Sequence, residues 1–181
     1  TGKTMISTTE ELAEDAQAAI DFLKKQKNID TKNIGLLGHS EGGIISAIVA
    51  SNTSEVGFII IMSGHGVTGG DILLEQQKLI LKAGGVSDSL ITENLDLQKK
   101  INEALRNEKD LNDIRDDIQA FAEKDYNLLS PEIKKSIQNK DAYINSTVQT
   151  QIQVFNNPWF RFYVKYDPSQ VYEKVKIPVL L

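Results

Sequence analysis

Five residues, Gly38-His39-Ser40-Glu41-Gly42, constrain this chain more than any other stretch. They lie between an apolar run, Ile34-Gly35-Leu36-Leu37-Gly38, and a segment from Gly42 to Ser51 rich in Ile, Val and Ala. The first run does not alternate, which predicts a strand covered on both faces. The second has the composition of a buried helix, and another apolar run follows at residues 56–62. A serine between glycines at a strand-to-helix junction implies a tight turn, in which the glycines relieve crowding and the hydroxyl projects at the carboxyl end of the strand. Strand, helix, strand with short polar connections predicts a parallel sheet with helices on its faces.

Upstream, Ser7, Thr8 and Thr9 followed by Glu10 and Glu11 carry a capping-box signature, a hydroxyl and a carboxylate that satisfy the first amides of a helix. Leu12, Ala16, Ala19, Ile20 and Leu23 recur at helical spacing, so an amphipathic helix is expected over residues 8–27. Downstream the texture changes. Residues 63–70 form a glycine-rich exit loop, and helical patterns follow at 71–83, 90–107, 110–123, 131–140 and 141–155. These helices are polar with narrow apolar stripes, as expected of helices that pack over something else. An aromatic stretch, Trp159-Phe160-Arg161-Phe162-Tyr163, leads back to a final strand at 177–181. The fold class expected is α/β, divided into a sheet-bearing part at residues 1–65, a helical block at 66–170 and a returning strand at 171–181.

Charge and cysteine usage exclude several classes. A net charge of −5 opposes nucleic acid and anionic membranes as partners. No window approaches the roughly 18 consecutive apolar residues of a spanning helix, so membrane insertion is not expected. Without cysteine there is no thiolate chemistry, and two histidines are too few for a His-rich metal site, so no metal or other cofactor is expected. Neither Thr1-Gly2-Lys3 nor Pro178-Val179-Leu180-Leu181 reads as a natural terminus, so the chain is expected to be a portion of a larger protein and its compartment is undetermined.

A serine hydroxyl attacks a carbonyl only when a base takes its proton and donors stabilise the oxyanion that forms. Ser40 is the candidate nucleophile, and the backbone N–H of Glu41, at the positive start of the following helix, is one candidate oxyanion donor. His65, just past the second strand, is a candidate base or a pocket-lining loop residue. His39 sits inside the motif, where its side chain should point away from that of Ser40. Asp71 is either an acid following the second strand or the N-cap of the next helix. Trp159 and Phe160, with Phe162 and Tyr163, are candidate pocket residues, with packing as the plainer role. Glu103, Glu108, Asp110, Asp113, Asp116 and Asp117 read as a solvated helix face rather than a cation site.

Gly38-His39-Ser40-Glu41-Gly42-Gly43 resembles the nucleophile elbow of bacterial α/β-hydrolases in the serine aminopeptidase-like and dienelactone hydrolase-like group, especially carboxylesterases with a helical lid. The capped first helix, the long helical block and the approach from Tyr166-Asp167-Pro168 to Lys176-Ile177-Pro178-Val179 are similar as well. The resemblance implies a partial hydrolase core, a helical cap over 66–170, and cleavage of a small ester through an acyl-enzyme on Ser40. It also implies an acid and a histidine beyond Leu181 and a second oxyanion donor before Thr1, so the isolated chain is expected to be inactive. Thioesterase, acyltransferase and small-peptide hydrolase activities use the same elbow. The competing class is a non-catalytic helical interaction module, and sheet edges left exposed would favour self-association.

Overall fold

The computed structural model describes residues 7–181. Strands β1 (Gly35–His39), β2 (Phe58–Met62) and β3 (Val179–Leu180) lie parallel in the order β1-β2-β3. The helices are α1 (Thr9–Lys24), α2 (Glu41–Asn52), α3 (Gly69–Ala83), α4 (Asp88–Arg106), α5 (Arg115–Leu128), α6 (Pro131–Ser136), α7 (Lys140–Phe155), α8 (Pro158–Lys165) and α9 (Ser169–Tyr172), with one 3-10 turn at Leu111–Ile114. The chain is therefore mixed α/β, mostly helical around a small parallel sheet. It divides into two compact units: the described residues up to Ile72 together with Lys165–Leu181, and Leu73–Val164.

In the sheet-bearing unit, α1 begins where its signature places it. Thr8 Oγ1 accepts from the Glu11 amide at 3.3 Å, and Glu11 Oε2 accepts from the Thr8 amide at 2.8 Å. Helix α2 is apolar on every side because it is enclosed: it packs on α1, β1, β2 and α9, with Ile44 and Ala47 fully buried. Register pairs Leu36 with Ile59, Leu37 with Ile60 and Gly38 with Ile61, so side chains alternate between the two faces in step. Ile59 and Ile61 are buried on the face toward α2.

The opposite face departs from the sequence expectation of strands covered on both sides. Leu37 is 64% exposed, Met62 50% and Leu180 62%. The physical reason is the arrangement of the helices in this unit: α2 covers β1 and β2, and α1 and α9 pack on α2. Among the described residues of the unit, none of these helices lies on the second face.

The helical unit has its own core, in which Leu105, Leu111, Ile118 and Val148 are fully buried, joined by Phe160 and Val164. Several elements differ from the periodicity. The helix expected from 110 is preceded by the 3-10 turn, because the Asp110 carboxylate accepts from the Asn112 amide at 2.8 Å and caps that turn. The break expected at residue 140 comes earlier, with Asn139 Oδ1 accepting from the Ala142 amide at 2.9 Å and starting α7. The aromatic stretch is a helix, α8, started by Asn157, whose side-chain oxygen accepts from the Phe160 amide at 2.8 Å.

Candidate active site

β1 hands over to α2 within one residue. His39 closes the strand, Glu41 opens the helix, and Ser40 between them has φ 54° and ψ −119°. An L-residue rarely adopts such a backbone, and holding it costs about 1–3 kcal/mol. The surroundings hold it in place. The Ser40 amide donates to the Met62 carbonyl at 2.9 Å, carrying the β1–β2 ladder into the turn, and the Gly43 amide donates to the Ser40 carbonyl at 3.0 Å. The turn is so tight that a Cβ at Gly38 would lie 1.9 Å from the Gly42 carbonyl oxygen. A Cβ at Gly43 would lie 2.7 Å from Ile61 Cγ2, so that glycine lets α2 rest on β2. At Gly42 a Cβ would meet nothing within 4 Å. The crowding expected at Gly42 is therefore absent, and Gly38 and Gly43 meet the steric need.

Ser40 makes no side-chain capping bond to α2. The Glu41 amide occupies the first helical position, where the helix ladder supplies no acceptor and the dipole is positive. The Glu41 carboxylate reaches the other way: its Oε1 accepts from Thr9 Oγ1 at 2.7 Å, and Thr9 is fully buried. This bond ties the start of α1 to the start of α2. Sequence reading assigned Thr9 only to the capping cluster. The missed signal was three consecutive hydroxyl residues where one cap suffices.

His39 pairs in register with Met62 on the uncovered sheet face and is exposed. His65 is 7% exposed, and its Nδ1 bonds the Val67 carbonyl at 2.8 Å. It lines a cavity of about 350 Å³ with Ile59, Ile61, Tyr172 and Val179, and Ser40 is not part of that lining. Trp159 and Phe160 belong to the helical unit, where Trp159 stacks on Tyr163 at 5.1 Å and Phe160 meets Phe155 at 4.9 Å. Asp71 is not the N-cap of α3. Thr68 takes that place, accepting from the Asp71 amide at 3.3 Å and donating to Asp71 Oδ2 at 2.6 Å.

Within the acidic stretch, Asp117 pairs with Lys100 at 2.5 Å and Glu108 with Arg161 at 3.7 Å. Hydrogen bonding, chiefly from the Asn112 amide, holds the Asp110 carboxyl below its ordinary value. Among the described residues no group of three or more His, Cys, Asp or Glu side chains is placed to hold a metal ion.

Tyr166, on the segment leading to α9, is pushed up to about 12, first by burial and then by Glu10, Tyr172 and Asp167. Its neutral form is favoured in the folded chain. The stability this contributes is complete below the ordinary tyrosine value of about 10 and is lost as pH rises toward 12. Urea unfolding followed across that window should show a loss of stability that Tyr166→Phe reduces; an identical slope in the variant would contradict this account of Tyr166.

Residues 16–151 match the family described as BAAT / acyl-CoA thioester hydrolase C terminal. The chain belongs to this family. The matched residues take in β1, the Ser40 turn, α2, β2 and most of the helical unit. The BAAT / acyl-CoA thioester hydrolase C-terminal family is α/β-hydrolase-like in class, in agreement with the parallel sheet and its strand-to-helix turn. A search of curated proteins finds no match to the chain. No helix among the described residues is long and apolar enough to cross a membrane.

Proposed function

We propose that Ser40 is the nucleophile of an acyl hydrolase acting on a small thioester or ester. Its hydroxyl oxygen attacks the acyl carbonyl, and the Glu41 amide donates to the oxyanion. The tetrahedral intermediate expels the thiolate or alkoxide, which takes up the proton lost by Ser40. Water then releases the acid from the acyl-serine. One observation carries the reading: a serine, not a glycine, occupies a strained backbone conformation at the junction of β1 and α2. Strain kept where glycine would remove it points to a side chain that is needed there.

The family match favours a thioester, with a thiolate leaving group. The likeness of the Gly38–Gly43 segment to carboxylesterase elbows supports an oxygen ester as the second reading. In both readings the helical unit serves as a cap that limits substrate access.

Neither of the chain's two histidines is the base in this proposal. His39 lies in the β1–β2 register on the uncovered face, and His65 holds the Val67 carbonyl in a cavity that Ser40 does not line. In this reading the base is a histidine outside these 181 residues, as the resemblance of the Gly38–Gly43 segment implies. The expected result for the isolated 181-residue chain is therefore no meaningful turnover of short acyl-CoA thioesters or p-nitrophenyl esters. Turnover by that chain, abolished by His65→Ala, would show that the base is internal.

A further inference from the structure

Thr9 opens α1 but does not cap it. Thr8 and Glu11 already exchange the two capping bonds, so the Thr9 hydroxyl is left for another use. Thr9 is fully buried and gives its one hydroxyl proton to Glu41 Oε1 at 2.7 Å. Burying a hydroxyl against a half-buried carboxylate costs more than burying hydrocarbon, and valine has the shape of threonine without the polar group. The two helices also have other ties. Ala13 and Ile20 are buried along α1, and Gln17 and Lys24 both bond Glu55, just past the end of α2.

Glu41 follows Ser40 at the first position of α2, and its amide is the oxyanion donor in the proposed reaction. Its own carboxylate is therefore the negative charge best placed to interfere. The first turn of a helix attracts a carboxylate through its amides and its dipole. A carboxylate lodged there takes donors that an oxyanion needs and repels the charge that forms. The bond from Thr9 draws it to the start of α1 instead. We infer, on the reading of Ser40 as nucleophile, that Thr9 is a positioning residue for acyl transfer: by holding the Glu41 carboxylate against α1, it keeps the first turn of α2 open to the oxyanion. Formation and breakdown of the acyl-serine both pass through an oxyanion, so losing the Thr9 hydroxyl slows both.

The test is the rate at which a fluorophosphonate labels the active protein. Its phosphoryl oxygen takes the oxyanion's place as the Ser40 oxygen bonds phosphorus and fluoride leaves. Thr9→Val is expected to slow labelling about tenfold, and Thr9→Ser, which keeps the hydroxyl, to retain most of the rate. Adding Glu41→Gln to Thr9→Val removes the competing charge and is expected to recover most of the loss, which a merely structural role of Thr9 does not predict. If Thr9→Val does not fold, Glu41→Asp gives the same reading: its carboxylate, one methylene shorter, falls short of Thr9 and stays over the first turn, so a loss of about tenfold is again expected. An unchanged rate in folded Thr9→Val or Glu41→Asp, an equal loss in Thr9→Ser, or no recovery in the double variant would each overturn the inference. Labelling that persists in Ser40→Ala would overturn the reading of Ser40 and the inference with it, whereas labelling lost in Ser40→Ala but unaffected by Thr9→Val overturns the inference alone.

Discussion

Gly38→Ala is expected to unfold the sheet-bearing unit, or to destabilise the chain by at least about 3 kcal/mol. The reason is local and geometric. The new methyl carbon would lie 1.9 Å from the Gly42 carbonyl oxygen and 2.5 Å from the Gly43 nitrogen, and both are backbone atoms that no rotamer change can move aside. Relief would require opening the Ser40 turn, which breaks the Ser40-to-Met62 and Gly43-to-Ser40 hydrogen bonds and lifts α2 from the sheet. Since domains are stable by only about 5–15 kcal/mol, a loss of this size is a large fraction of the total. Gly42→Ala is the internal control. Its Cβ meets open space in the first turn of α2, and alanine loses less backbone freedom on folding than glycine, so a gain of about 0.5–1 kcal/mol is expected. Thermal or urea unfolding of the two variants checks both signs. Similar stabilities for the pair would contradict the turn geometry.

The second large effect is at Ser40 itself, where stability and activity should move in opposite directions. Ser40→Gly removes the penalty of φ 54° and is expected to stabilise the fold by about 1 kcal/mol, the strain relieved outweighing glycine's added chain entropy. Ser40→Ala keeps the strained backbone and should leave stability within about 0.5 kcal/mol. Both remove the hydroxyl, so both should abolish hydrolysis by the active protein, lowering kcat on the order of 10⁴-fold or more. Unfolding measurements beside acyl-CoA kinetics separate the two effects. If Ser40→Gly were neutral or destabilising, the claim of strain held for function would fail even where activity is lost.

Much of this was legible in the residues because it rests on local rules. Thr8 and Glu11 announce the start of α1 by their spacing alone, and the run into Gly38 followed by Ile44-Ile45 announces a strand turning into a helix. The requirement at Gly38 follows from the turn. The openness at Gly42 does not, because it depends on where the Ile61 side chain lies beneath Gly43, a tertiary fact. Helix α8 has a legible start, since Asn157-Pro158 is a cap followed by a first-turn proline and Phe160, Tyr163 and Val164 are buried at helical spacing, but four aromatics in five residues fit packing or a pocket without specifying a helix. The uncovered sheet face was not legible. A run such as Ile59-Ile60-Ile61 has no alternation from which to tell which face a helix covers. The same holds for His65, whose tie to the Val67 carbonyl depends on how the loop after β2 folds back.

The central claim is that Ser40 is a nucleophile held in its strained turn for attack on an acyl carbon. The most direct test is active-site labelling of the native protein in its own cell extract with a fluorophosphonate probe, followed by peptide mass mapping. The expected result is a single adduct on Ser40, lost in Ser40→Ala and blocked by pre-incubation with an acyl-CoA substrate. An adduct on another residue, or none on Ser40 in protein that hydrolyses the substrate, would contradict it.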